Sequence, residues 1–271
     1  ANDLPDGWSL MQWINEEVHE QEPNNLTIAE DLRNNEWLVK DTGAGGAGFG
    51  SQWDANFVHP VRTAIISSDD AFRDMKAVKK ALTFKYAGDV FKRVVYTESH
   101  DEVANGKARV PEEIWPGNSH NWYAKKRSTL GAVLVFTAPG IPMIFQGQEF
   151  LEDKWFTDTV PLDWEYVKEE QGIVYLYRDL MHLRRNLKGT TRGLTGQHIK
   201  VYHMNQKDKV LAYHRWYDGG PGDSTVVVIN MANRTLTDYV IGFPAAGKWS
   251  LRFDSHAAGY SPDYKGQVSV D

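Results

Sequence analysis

The spacing of apolar positions changes along the chain, and each spacing predicts an element. Between residues 8 and 20, Leu10, Met11, Trp13, Ile14 and Val18 recur at a helical period, with Asp6 or Ser9 available as the cap. Pro23-Asn24-Asn25 ends that pattern. Leu26-Thr27-Ile28-Ala29 is a short apolar and β-branched run, which predicts a buried strand carrying Glu30-Asp31 at its C-terminal end. A Gly-rich loop over 41–52 leads to a second short strand within 53–57. Asp69-Asp70 can cap a helix over about 70–88, with Phe72, Met75, Val78 and Leu82 on one face and Lys76, Lys79 and Lys80 mostly on the other.

A third strand is predicted at Arg93-Val94-Val95-Tyr96-Thr97, closing on Glu98-Ser99-His100-Asp101-Glu102. Asn118 or Ser119 can cap a helix running to about 136, which Pro139-Gly140 stops, and Ile141 to Phe145 reads as a fourth strand. Ile173, Leu176, Tyr177, Leu180, Leu183 and Leu187 mark a helix over about 171–187. After Gly189 the period falls from about 3.6 to 2. Strands are expected near 199–204, 209–216, 224–230, 237–242 and 248–254, which describes a small all-β sandwich. The expected domains are 1–190, α/β with parallel strands and outer helices, and 191–271, all-β.

Composition narrows the function classes. The 271 residues include no Cys, which removes disulfides, thiolate zinc sites and thiol nucleophiles. A net charge of -6 argues against nucleic acid as partner, since phosphate binding needs clustered Lys and Arg. No apolar run is long enough to span a bilayer and no signal-peptide pattern opens the chain, so no membrane partner and a cytoplasmic setting are expected. The 10 Trp, 12 Tyr and 11 Phe suit both core packing and stacking on sugar faces.

Three motifs bear on chemistry. Gly43-Ala44-Gly45-Gly46-Ala47-Gly48 fits G-x-G-x-x-G, but it runs into Phe49-Gly50-Ser51-Gln52-Trp53 rather than opening a helix, so nucleotide binding is set aside and no cofactor is expected. Glu30-Asp31 and His100-Asp101 each close a strand. Either pair alone can be a helix cap or a polar turn. Two carboxylate-bearing strand ends together fit glycoside hydrolysis, which needs one acid for the leaving oxygen and one anion against the positive charge at the anomeric carbon. No HExxH or comparable spacing marks a metal site.

Leu26 to Asp31 resembles the general-acid strand of the α-amylase superfamily, in the form found in glycogen and starch branching enzymes. Ser99-His100-Asp101-Glu102-Val103 with Gly106-Lys107 resembles that group's transition-state-stabiliser strand, and Gly140 to Phe150 its last barrel strand. Gln52-Trp53-Asp54, Pro161-Leu162-Asp163-Trp164 and Leu180 to Arg185 fit the landmarks between and after these. The resemblance implies the C-terminal half of a (βα)8 barrel followed by the family's small β-sandwich domain. It implies Glu30 as general acid/base, Asp101 as transition-state stabiliser, His100 as a hydrogen-bonding partner of a glucose hydroxyl and Trp53 as a shaper of the glucan groove. Gln148 and Glu149 would support the barrel mouth. The implied substrate is an α-glucan such as starch, glycogen or a maltooligosaccharide.

The family's nucleophile is an Asp on the preceding strand, and nothing upstream of Leu26 fits that strand. Little activity is therefore expected of this stretch alone. Half a barrel also leaves open strand edges, which predicts a homo-oligomer or a complementing N-terminal half-barrel.

Overall fold

The computed structural model describes residues 4–266. Helix α1 spans Pro5–Gln21 and has no side-chain cap, so neither Asp6 nor Ser9 serves. Proline in the first turn makes the cap less necessary, because it brings no N–H to satisfy. The helix buries only part of its apolar surface: Trp8 and Met11 pack on Ala29, Leu38 and Ala47, while Leu10, Trp13 and Ile14 stay about half exposed.

Four short strands follow, each parallel to the next. They are β1 (Ile28–Ala29), β2 (Ser51–Trp53), β3 (Arg93–Val95) and, further along, β4 (Ile141–Pro142), in the spatial order β1-β2-β3-β4. Register pairs Ala29 with Gln52, Trp53 with Val94, and Val95 with Pro142. The second strand stops earlier than 57 because Asp54 accepts from the Asn56 amide and starts helix α2 (Ala55–Ile66).

The helix expected over 70–88 is divided. A 3-10 turn at Asp70–Phe72 is capped by Asp69, and α3 (Met75–Thr83) is capped separately by Asp74. Between them Arg73 is extended, because its buried guanidinium donates inward to the carbonyls of Ala64, Ser67 and Met231. Phe72, placed on the apolar face by its spacing, is exposed.

After β3 come α4 (His100–Val103), α5 (Val110–Ile114) and α6 (Trp122–Thr137). The cap of α6 is Asn121, which accepts from Tyr123 and Ala124, rather than Asn118 or Ser119. Short α7 (Tyr166–Glu169) and α8 (Gln171–Arg184) follow β4. One core joins Phe57, Val61 and Ile65 of α2 to Met75, Val78 and Leu82 of α3, Leu134 of α6, and Ile173, Leu176, Tyr177 and Leu180 of α8. Each such side chain contributes roughly 1.5–3 kcal/mol on burial.

The C-terminal all-β module is an antiparallel sheet of β5 (His198–Asn205), β6 (Val210–Trp216) and β7 (Thr225–Asn230). Strands expected near 237–242 and 248–254 do not form. The chain there meets β5 through side chains, with the Tyr239 hydroxyl 2.7 Å from His203 Nε2 and accepting from Asn205 at 3.0 Å. The β5–β6 ladder has an irregularity between Val201 and His203.

Three buried arginines fix the turn from α6 into β4. Arg215 donates to Thr137 O, Arg184 to Ala138 O and Gly140 O, and Arg93 to Pro139 O. Four consecutive carbonyls are thus satisfied by side chains from β6, α8 and β3. Arg93 also donates to Ala81 O and Leu82 O, carbonyls in the last turn of α3 with no partner inside the helix, and ion-pairs with Asp54 at 3.1 Å. Burial pushes the Asp54 carboxyl up from its ordinary value, and Arg93 opposes that rise.

Candidate active site

All four strands are parallel, so their C-terminal ends face one way, and that end gathers the residues singled out by the sequence. Glu30 follows β1 directly, Trp53 is the last residue of β2, and His100 and Asp101 open α4 beyond β3. His100 and Asp101 therefore sit on a helical first turn, not on the strand itself.

The run Glu98-Ser99-His100-Asp101-Glu102 sorts by direction. Glu98 is fully buried, ion-paired with Arg109 at 3.3 Å and accepting from the Val110 amide at 2.6 Å. Glu102 turns back towards Arg62 and His59. His100 and Asp101 point the other way, about half exposed, as Glu30 is. The His100 Nε2 atom lies 3.3 Å from Glu30 Oε1 and 3.5 Å from Asp101 Oδ1. One imidazole nitrogen thus spans both carboxylates.

Trp53 lies beneath. Its ring meets His100 edge-on with centroids 5.8 Å apart, and Tyr96 at 5.3 Å. Tyr96 is a site residue that the sequence reading treated only as strand. Its hydroxyl is buried with no hydrogen-bond partner, and burial, with Glu102, Asp54, Asp101 and Glu30 adding, pushes its pKa up. The uniformly buried β3 gave no hint that the tyrosine following it would lie beneath the carboxylates.

Lys107, part of the Gly106-Lys107 landmark, donates from Nζ to the Asp101 carbonyl at 2.7 Å and holds that backbone in place. Gln148 donates to Thr97 Oγ1 at 2.6 Å and accepts from the Phe145 amide, tying the segment after β4 to the one after β3. Glu149 is turned inward, with its Oε2 buried and unpartnered, and touches neither Glu30 nor Asp101 by any hydrogen bond or ion pair.

Donor atoms of Glu30, His100 and Asp101 lie within 4.8 Å of one another, close enough to share an ion, though exposed acidic groups are common without one.

The Gly43–Gly48 loop forms a 3-10 turn at Thr42–Ala44 and then packs against α1, where Gly46 and Ala47 carbonyls accept from Gln12 and Asn15. No helix opens from it; the chain runs into β2 instead. A cleft of about 450 Å³ lies between the start of α1 and the segment after Glu30, lined by Pro5, Trp8, Ser9, Asn35 and Trp37. None of the candidate chemical residues lines it. Among the described residues no helix is long and apolar enough to cross a membrane.

Comparisons with known proteins agree with this arrangement. The family description for the α-amylase C-terminal all-β domain matches residues 201–271. The 1,4-alpha-glucan branching enzyme GlgB of Photobacterium profundum is 28% identical over 265 residues, covering 96% of this chain and 36% of the relative. That of Mycobacterium tuberculosis H37Rv is 28% identical over 260 residues, covering 93% and 34%. The chain thus spans about a third of the length of the curated relatives it matches. Among solved structures, apo pullulanase from Paenibacillus barengoltzii superposes with a TM-score of 0.67 at 20% identity, over 91% of this chain and 42% of that one. Pullulanase from Anoxybacillus sp. LM18-11 complexed with maltotetraose gives 0.62 at 20% identity, over 83% and 36%. Parallel βα units, a following all-β module, motifs and relatives together support a similarity to the C-terminal half of α-amylase-family enzymes.

Proposed function

We propose that this chain carries the acid and stabiliser side of an α-glucan-active retaining glycosidase or branching transglycosylase, acting on α-1,4-glucosidic bonds of starch, glycogen or maltooligosaccharides. The carrying observation is the convergence of Glu30, His100 and Asp101 within 4.8 Å at the C-terminal end of a parallel sheet. Glu30 gives its proton to the glycosidic oxygen as the bond to the anomeric carbon breaks, and Asp101 stays anionic against the positive charge that develops there. His100 hydrogen-bonds a glucose hydroxyl and Trp53 offers a ring to a sugar face. The chemistry needs no cofactor or metal.

The nucleophile of such a reaction has no place among these elements, so turnover by these 271 residues alone is expected to be very low. The division at 190/191 and a cytoplasmic setting belong to the same proposal. So does a closing partner. The β1 edge carries the half-exposed Leu26 and Ile28, and α1 the exposed Leu10, Trp13 and Ile14. A second copy or a complementing N-terminal half-barrel would cover them. Sedimentation at tens of micromolar should show association, and a stable monomer counts against it.

The decisive experiment incubates purified chain with soluble starch and measures reducing ends and branch points, alongside calorimetry with a maltooligosaccharide. Binding that Trp53→Ala weakens supports the reading. Turnover that Glu30→Gln abolishes would show the site to be complete after all, and no affinity for any α-glucan would refute the assignment. Binding without product would favour the second reading, a non-catalytic glucan-binding module.

A further inference from the structure

Arg62 sits on the inner face of α2 and is almost wholly buried. A buried guanidinium is costly unless its donors and charge are met. Every recorded partner of Arg62 comes from one stretch, the segment that leaves β3 and returns into α5. Its Nη1 donates to Thr97 O at 2.9 Å and its Nη2 to Ala108 O at 2.8 Å. Its Nη2 lies 3.0 Å from Glu113 Oε2, and its Nε 3.9 Å from Glu102 Oε2. The Glu113 contact is an ion pair without hydrogen-bond alignment, since that oxygen is otherwise unpartnered.

Thr97 and Ala108 are the two feet of the excursion that holds His100 and Asp101. Its tip is a left-handed turn at Asn105-Gly106, where φ is 56° and 81°. Glu98 also closes the base, through Arg109 and the Val110 amide, and Phe156 holds the far side through Val103 O. Arg62 differs from both supports. It grips both feet from outside the excursion, from α2, and it alone of the three also reaches Glu102, the residue next to Asp101.

We propose that Arg62 is a positioning residue: it clamps both feet of the segment after β3 and, through Glu102, sets the direction in which His100 and Asp101 face Glu30 over Trp53. This rests on the function proposed for that site. Arginine is required because a planar fork serves two carbonyls and a carboxylate together, whereas a lysine ammonium is a single point of charge.

The test compares wild type with Arg62→Lys, Arg62→Gln and Glu102→Gln by three readouts. These are thermal melting, amide hydrogen exchange, and the NMR resonances of the Trp53 indole and His100 imidazole, whose rings meet edge-on. In Arg62→Lys we expect exchange across residues 98–108 to rise by about tenfold, with β6 and β7 amides within about twofold of wild type. The Trp53 and His100 resonances should move together. Glu102→Gln, which leaves both feet held, should move the two resonances in the same direction with a smaller change in exchange. A lowered melting temperature with wild-type loop exchange and unmoved resonances would make Arg62 a structural staple only and overturn the proposal. If Arg62→Gln does not fold, the other two variants carry the test. Glucan affinity of the wild type is measured separately: its absence refutes the function proposed for the site, whereas unmoved resonances refute the clamp.

Discussion

Replacing Arg93 by Met tests how far one buried cation organises the βα unit. The side chain is fully buried and makes five hydrogen bonds: two to Pro139 O, one each to Ala81 O and Leu82 O, and one to Asp54. Methionine keeps the apolar stem and removes them all. Three buried carbonyls lose a donor, at roughly 1–3 kcal/mol each if nothing else reaches them. Asp54, itself fully buried, loses its counter-charge. Relaxation and protonation of Asp54 return part of this, so a net loss of about 3–5 kcal/mol is expected at pH 7, the range for breaking a buried pair from one side.

The pH dependence has a definite sign. Burial already raises the Asp54 carboxyl in the folded state, and removing Arg93 takes away the charge that opposes the rise. A carboxyl raised on folding binds protons more tightly in the native state, so it lowers stability as pH climbs above the unfolded value of about 3.9. The loss in Arg93→Met should therefore be smaller at pH 4.5 than at pH 7. Urea unfolding followed by tryptophan fluorescence and circular dichroism measures both. A loss under about 1 kcal/mol at pH 7, or one that grows towards acid, would refute the reasoning.

Further outcomes are expected elsewhere. Burial pulls Lys126 down to about 8, while its ammonium donates to Ser255 O and lies over the Tyr264 ring. Its unfolded value is about 10.4, so between the two values the unfolded state binds more protons and this group makes stability rise with pH by about 1–3 kcal/mol. Denaturation from pH 7 to 10 should show that rise in wild type and a flatter curve in Lys126→Met. Gly172 on α8 faces the Tyr260 backbone so closely that a Cβ would lie 2.4 Å from its carbonyl oxygen. Gly172→Ala should cost about 1–3 kcal/mol by urea unfolding and raise hydrogen exchange around 257–264. Glu170 is buried and holds His120 Nδ1 at 3.1 Å and Lys125 Nζ at 2.7 Å. Glu170→Gln should cost about 1–3 kcal/mol by the same measurement, because it leaves Lys125 without its carboxylate.

The parts of the fold visible in the sequence are those that apolar spacing governs. Three of the four strand positions and the switch to period two after Gly189 follow from which residues must leave water, whereas α2 was not foreseen and β2 lies at Ser51–Trp53 rather than within 53–57. The convergence of Glu30, His100 and Asp101 was legible because each follows a strand, and parallel strands send those ends one way. Hydrophobic spacing is blind to buried cations. Arg62, Arg73, Arg93 and Arg215 read as polar positions, yet each is in the interior, because the backbone carbonyls it serves belong to segments distant in sequence. The same blindness misplaced the helix expected over 70–88, since Arg73 interrupts it. At 237–242 the apolar run Tyr239-Val240-Ile241 suggested a strand, but such a run describes only which side chains want cover. It says nothing about backbone pairing, and here the segment meets β5 through the Tyr239 side chain instead.

The turn at 137–140 has a consequence for how the all-β module could be exchanged. Modules joined by greasy surfaces can be swapped between proteins, because apolar contacts tolerate a changed partner. Here the seam is apolar, with Leu211, Tyr213 and Ile229 of the sheet in the same buried cluster as α3, α6 and α8, but it also carries a specific polar set. Arg215 from the sheet serves Thr137 O and, with Arg184, Leu194 O, while Arg184 and Arg93 take the next three carbonyls in turn. A foreign module grafted after Gly189 would arrive without an arginine at the position of Arg215 and would leave a carbonyl stranded. Successful chimeras of this chain should be those whose graft carries that arginine together with apolar residues at the positions of Leu211, Tyr213 and Ile229.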